Sequence, residues 1–325
     1  MQPRASALVV MLATLLLGAS AAALETDQFY AWGKPIEDST VYLNAWVQLT
    51  VQSALDASQP QDCEAAVNAL QKHLQQSIYQ PIELWILSSD LVDRIPRGEM
   101  ADRDYRANYL LSKTFPLDYA RMLQPSPTVE INEIRLGSDK LAHFFSEGWW
   151  YYKRWRKDYR GETPEQLQRS LFEYGVKLEQ WIQGTASSGV FSPADLEANY
   201  QGFIFYRQLC HGEEPLLQRE HGRWRFSGRF DFRDYVSPQW DESWNPNIYS
   251  PKRWKNIART MAAYCPLLHG DWVSRQRAHY AALDTRTPTD RLMREQVAAG
   301  ALPDPRRFDI TVVCQAPARQ GFNAD

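Results

Sequence analysis

The sequence predicts a mainly α protein, a multi-helix, bundle-like body carrying a small antiparallel β element at about 223–233 and 308–313. Three observations predict it. Apolar residues recur at helical spacing along most of the chain, several of these segments open on a helix-capping residue, and apolar/polar alternation is confined to two short stretches. Of the 325 residues, 44% are hydrophobic and 13% aromatic, which is enough for a packed core and too much for a disordered chain. Lysine and arginine number 36 against 39 aspartate and glutamate, so the formal charge of −3 excludes a polycationic nucleic-acid binder and a polyacidic tail.

Residues 1–23 read MQPRASALVVMLATLLLGASAAA, with basic Arg4, an apolar run through Leu17, and small Ala21 and Ala23 three and one before a cut. That pattern predicts a secretory signal peptide, its apolar run being shorter than a spanning helix needs. The expected product, residues 24–325, is a single helical domain with a C-terminal elaboration, periplasmic or secreted, and no later stretch reaches spanning length. Cys63, Cys210, Cys265 and Cys314 all follow the cut, and an oxidising compartment makes two disulfides the expectation. Three pairings are possible. Cys210 and Cys265 both fall at helix ends, which favours joining them and leaves Cys63 for Cys314. No C-x-x-C is present for redox chemistry or a zinc knuckle.

The elements follow in order. Asp38, Ser39 and Thr40 offer caps for a helix to about Ser58, with Val41, Leu43, Trp46, Leu49 and Leu55 as its buried residues. A second helix spans about Gln61 to Ile78 on the pattern Cys63, Val67, Leu70, Leu74, Ile78, forming a hairpin with the first. From Tyr79 to Gln124, apolar runs at Ile82–Leu87 and Tyr109–Leu111 broken by Pro81, Pro96 and Pro116 predict short helices joined by turns. Helices are then expected from Ser138 to about Lys157, from Thr163-Pro164 to near Gly184, and from Ser192 to Gly212, the last with Pro193 at its first position and Asp195 as capping partner. Ser250-Pro251 opens another, ending around Cys265, and Thr287 to Ala299 forms one more. Around Ser227-Gly228-Arg229, a three-residue loop sets Phe226 opposite Phe230 and Trp224 opposite Phe232, and Phe308 to Val313 reads as a further strand.

The segment GSDKLAHFFSEGWWYYKRWRK is the most unusual in the chain. At 100° per residue, Leu141, Phe144, Phe145, Gly148, Trp149, Tyr152 and Trp155 fall on one side, and Asp139, His143, Ser146, Glu147 and Trp150 on the other. Asp139, His143 and Glu147 are stacked at i, i+4, i+8, a carboxylate–imidazole–carboxylate stripe of the kind that helical metal sites use. Facing water, the same stripe is the ordinary polar side of an amphipathic helix. Trp150 among the charges argues instead for a cleft. Asp139-Lys140-Leu141-Ala142-His143-Phe144 is similar to the D-K-x-x-H-F signature of several bacterial envelope families, including VanZ-like membrane proteins and small periplasmic proteins of unassigned role. The resemblance covers six residues and implies a shared local helix motif without transferring an activity.

In SPADLEANYQGFIFYRQLC, Asp195, Asn199, Gly202 and Tyr206 fall among the apolar Leu196, Phe203, Leu209 and Cys210, so these polar groups face inward. They need partners, and Gly202 lets another element approach closely. Glu197 falls on the other side with Gln201 and Gln208 and reads as solvated. If the two helices meet, Asp139 and Glu147 are the candidate acid and base, His143 titrates between them, and Asn199 orients a substrate. Asp139, His143 and Glu147 are also the candidate ligands for a divalent metal. Trp150, Tyr206, Asp241 and Glu242 are candidate substrate contacts, the last two in WDESWNPNIYS, where aromatic planes beside carboxylates suit a sugar.

The remaining histidines lack H-E-x-x-H spacing, and there is no G-x-S-x-G, S-x-x-K, P-loop or G-x-G-x-x-G. Lys153, Arg154, Arg156, Lys157 and Arg160, interleaved with Trp155 and Tyr159, suit anionic lipid or polymer as well as the C-terminal end of a helix dipole. Two functions are consistent with these residues. One is an exported envelope protein with an aromatic- and acid-lined cleft for a glycan, lipid or partner protein. The other is a carboxylate/histidine hydrolase, with or without a divalent metal, acting on an envelope substrate.

Overall fold

In the computed structural model, which describes residues 26, 28–75, 80–97, 126–181, 184–185, 189–283 and 285–315, capping side chains open several of the helices. Helix α1 spans Thr40–Ser58, with Asp38 Oδ1 accepting from the Thr40 amide, and α2 spans Cys63–Leu74 behind Asp62, which accepts from the Ala65 amide. Pro81 opens α3, Pro81–Ser88. Helix α4 is Ser138–Arg154, extended by one π turn over Trp155–Tyr159, and α5 is Pro164–Trp181. Helix α6, Pro193–Cys210, is capped by Ser192, whose hydroxyl accepts from the Asp195 amide. Then come α7 (Pro251–Met261), the short α8 (Cys265–Leu268), α9 (Asp271–Ala282), α10 (Pro288–Ala298, capped by Thr287) and α11 (Ile310–Gln315). The expected signal peptide, residues 1–23, and the expected turns around Tyr109–Leu111 and Pro116 lie outside the described residues.

Among the described residues the strands form three antiparallel pairs: β1 (Thr128–Ile131) with β2 (Ile134–Gly137), β3 (Val190–Phe191) with β6 (Ile248–Tyr249), and β4 (Leu217–Glu220) with β5 (Arg223–Phe226). The expected hairpin over Ser227-Gly228-Arg229 is not formed. Instead, Arg223–Phe226 pairs backwards across His221-Gly222, whose φ angles of 48° and 81° suit a two-residue hairpin turn, and Phe232 opens a 3-10 turn. Phe226 and Phe230 still meet, with ring centres 6.1 Å apart. Gln52 of α1 satisfies the outer edge of β5, its side chain bonding the Trp224 carbonyl and the Phe226 amide.

Residues 308–313 also depart from expectation: they form no strand. Asp309 accepts from the Thr311 amide and hydroxyl and starts α11, which turns Ile310 and Val313 into an apolar cluster with Met261 and Leu268. Helical capping and a tertiary tie outweigh the β preference of a branched run. That tie is a disulfide, Cys265–Cys314, and the second joins Cys63 to Cys210, so both bridges differ from the expected pairing. The N-terminus of α2 lies beside the C-terminus of α6, and α8 beside α11. On α1, Val41 and Leu49 are exposed, and Val47, Val51 and Ala54 join Leu43 and Leu55 in the core at spacings of three and four.

The main core surrounds the crossing of α4 and α6, which touch through glycines. A Cβ on Gly148 would lie 2.6 Å from the Gly202 backbone, and one on Gly202 would strike the Phe144 carbonyl. The expected close approach at Gly202 is therefore met by Gly148 on the facing helix. On one side of this crossing the ring of Phe144 packs on Phe205, Phe232 and Tyr235, and Trp149 packs on Tyr206.

Candidate functional site

Fourteen of the seventeen residues of α4 are buried, so its polar stripe faces protein and not water. Asp139, Lys140, His143, Ser146 and Glu147 are all sealed. Buried charges persist only when paired or hydrogen-bonded; Asp139, Lys140 and His143 have partners from other elements, and Ser146 and Glu147 bond each other along α4.

At the N-terminal end of the stripe, the Lys140 ammonium contacts three carboxylates: Asp139 at 2.7 Å, Asp195 of α6 at 2.5 Å and Glu242 at 2.6 Å. Thr26 donates to Asp139 at 2.8 Å. Ser192 has two jobs, capping α6 through the Asp195 amide and donating to Glu242 at 3.1 Å. One turn further along, the His143 imidazole is held at both nitrogens. Nδ1 donates to Asn199 Oδ1 at 3.0 Å, and Nε2 lies 3.3 Å from Asp195 Oδ2. Glu147 Oε2 is 3.6 Å from Nδ1 and accepts from Ser146. Burial alone would push His143 down, but Asp195, Glu147 and Glu179 together outweigh it and raise the imidazole to about 9. At Asp195 burial opposes ionisation, yet His143 and Lys140 prevail and hold the carboxyl below its ordinary range.

Two groups of side chains lie close enough to share one ion, with donor atoms within 4.8 Å of one another: His143, Glu179 and Asp195, and Asp139, Asp195 and Glu242. In the second group the Lys140 ammonium already contacts all three carboxylates and serves as the resident cation. The metal-ligand trio expected from spacing alone is thus divided: His143 falls in the first group, Asp139 in the second, and Glu147 in neither.

Of the expected site residues, Asp139, His143, Glu147, Asn199 and Glu242 converge on this cluster. Asp241 serves a neighbouring network. It accepts from Ser243 and from Tyr280, whose hydroxyl also receives the Arg135 amide, and burial lifts its carboxyl to about 6 against those donors. Tyr206 belongs to the aromatic side, where its hydroxyl donates to the Phe145 carbonyl at 2.9 Å. Trp150 is half-buried against the core, with the Lys153 ammonium 4.8 Å from its ring centre. In the basic segment, Arg156 and Arg160 both pair with Glu64, and Arg154 pairs with Asp158.

Three members were missed in the sequence. Lys140 stands three residues before His143 and seven before Glu147, on the same helical stripe. Glu179 continues the buried series Leu167, Leu171, Gly175 at four-residue spacing, and a glutamate on an apolar stripe is a signal in itself. Glu83 of α3 lies at the edge of the cluster. Burial lifts it to about 7 although Ser126 donates to it at 2.7 Å, and the charges of Asp139, His143 and Lys140 also act on it. Glu197, expected in solvent, is buried and accepts from Gln201.

Comparison with protein-family models, curated proteins and solved structures finds nothing that matches this chain. Among the described residues, no helix is long and apolar enough to cross a membrane.

Proposed function

We propose that the chain is an exported cell-envelope protein, periplasmic or secreted, whose helical body encloses a divalent cation held by His143, Glu179 and Asp195. One observation carries this reading: ligand atoms of His143, Glu179 and Asp195 lie within 4.8 Å of one another in a sealed place, and none of the three is more than 5% exposed. Carboxylates gathered in a low dielectric gain from a cation among them.

The donor set fits an ion. A tetrahedral centre with bonds of about 2.0–2.2 Å sets its ligands roughly 3.4 Å apart, and His143 Nε2 stands 3.3 Å from Asp195 Oδ2. Asn199 holds the other ring nitrogen, the outer contact that fixes an imidazole for metal ligation. One imidazole with two carboxylates suits zinc or manganese. Bound there, such an ion would supply positive charge and Lewis acidity. His143, Glu179 and Asp195 would hold it, His143 through an unprotonated Nε2 while its Nδ1 proton stays bonded to Asn199.

The enclosure favours a binding role, with the ion tying α4, α5 and α6 together, over turnover of a polymeric substrate. Two disulfides accord with an oxidising compartment, and the leader pattern supports export. A carboxylate/histidine hydrolase of an envelope substrate is the second reading, favoured by the Asn199–His143–Asp195 chain with Glu147 beside it.

Metal content of the exported protein, purified without chelators, tests the first reading. One zinc or manganese per chain, lost in Glu179→Gln, is expected. A metal-free protein whose melting temperature ignores both ions overturns it. Glu147→Gln separates the two readings, since catalysis predicts lost turnover at an unchanged melting temperature, whereas a binding role predicts a loss of stability.

A further inference from the structure

Helix α7 divides sharply into an apolar and a basic side. Ala258 and Met261 turn inward and share an apolar cluster with Leu268 of α8 and Ile310 and Val313 of α11, which the Cys265–Cys314 bridge ties together. At 100° per residue, Lys252, Lys255 and Arg259 fall within about 60° of one another on the outer side, and all three are exposed. Arg253, the remaining cation of α7, is buried.

Nothing on the helix balances the charge of this stripe. No acidic residue occurs between Glu242 and Asp271, so the cations of α7 have no carboxylate three or four residues away. Among the described residues, neither Lys255 nor Arg259 forms an ion pair. The basic segment that follows α4 differs in this respect: Arg154 pairs with Asp158, and Arg156 and Arg160 share Glu64. Cations already set against carboxylates gain less from a further anion. An external anionic surface therefore gains most at α7.

The stripe also has apolar neighbours. Leu267 of α8 is 40% exposed and Val312 of α11 is 41% exposed, on helices whose other sides join the cluster beneath α7. Exposed cations along an amphipathic helix, with exposed aliphatic side chains beside it, suit a bilayer surface: the cations meet lipid phosphates and the aliphatic groups enter the headgroup boundary. A soluble polyanion offers those aliphatic groups nothing to enter.

We propose that α7 docks the protein on an anionic phospholipid surface, with Lys252, Lys255 and Arg259 against the lipid phosphates. This surface is separate from the enclosed cation, whose proposed ligands lie on α4, α5 and α6.

The test sediments the exported full-length protein with vesicles of phosphatidylcholine alone and of phosphatidylcholine mixed with phosphatidylglycerol, in low and in high salt. Binding is expected with the anionic vesicles only and is expected to fall in high salt. Combining Lys252→Gln, Lys255→Gln and Arg259→Gln, with the melting temperature unchanged, is expected to weaken partition about a hundredfold. Lys153→Gln with Lys157→Gln in the other basic segment is expected to leave it as it was. Acetylation by an amine-reactive reagent, read by mass spectrometry, needs no variant: anionic vesicles are expected to protect Lys255 and to leave Lys157 reactive. Equal binding to neutral vesicles overturns the proposal, as does undiminished binding of the triple variant or protection of Lys157 in place of Lys255. Binding to soluble polyglutamate without binding to vesicles overturns it too. Vesicle binding is expected to be equal with and without a chelator, so a metal-free protein leaves this proposal standing.

Discussion

Helix α4 buries both of its sides, and opposite physics holds them. On one, Phe144, Phe145, Trp149 and Tyr152 pack against rings from α6 and from residues 230–240, many small dispersion contacts adding up. On the other, Asp139, Lys140, His143 and Glu147 meet Asp195, Asn199 and Glu242 in a few strong contacts. The aromatic side can lose an atom and settle. The ionic side cannot, because removing one partner strands the others in a low dielectric.

The sharpest break in this comparison is Lys140→Met, which leaves three carboxylates around an uncharged side chain. We expect a loss of about 3–5 kcal/mol in urea unfolding at neutral pH, shrinking in acid, because Asp195, which Lys140 and His143 hold below its ordinary range in the parent, is charged and unpaired only above that range. Phe144→Leu on the other side is expected to cost about 1–3 kcal/mol, with no such pH dependence. Equal pH profiles would erase the distinction. Gly202→Ala strikes both sides at once, because the added methyl meets the Phe144 carbonyl and forces the helices apart. About 3 kcal/mol is expected, together with weaker metal retention and altered near-UV circular dichroism from the displaced rings.

Glu83 sharpens the ionic half. Its carboxyl is raised from 4.5 to about 7, so the fold prefers it neutral. The stability this contributes is complete below pH 4.5 and is lost as pH rises through 7. Glu83→Gln copies the neutral form, and we expect it to match the parent in acid and exceed it by about 1–3 kcal/mol above pH 7. A variant that is less stable at every pH would show that the charged form is needed. The smallest effect belongs to the aromatic side. Tyr206→Phe removes one hydrogen bond to the Phe145 carbonyl and is expected to cost about 1 kcal/mol at all pH values, measured by thermal unfolding.

Much of this fold is legible in the sequence where a local signal governs. Asp62, Ser192 and Thr287 cap their helices as side chains that accept a backbone amide, an interaction settled within four residues. Gly202 announced a close approach because it sat on an inward face. Signals failed where partners are distant. Residues 308–313 carry β-branched side chains, yet the Asp309 cap and the Cys265–Cys314 bridge make them a helix. The disulfide pairing depends on which helix ends lie together, which no spacing reveals. The candidate site was half visible. Periodicity placed Asp139, His143 and Glu147 on one stripe and Asn199 on an inward face, but it treats charge as a sign of solvent. Lys140 and Glu179 were therefore passed over, though each stands in register with residues that are buried.

Anomalous diffraction from crystals grown with manganese or zinc decides whether the cluster holds an ion. A single strong peak bounded by His143 Nε2, Glu179 and Asp195 is expected, with the Lys140 ammonium still between Asp139, Asp195 and Glu242. A map with no peak there, or with the ion seated in place of the Lys140 ammonium, contradicts it.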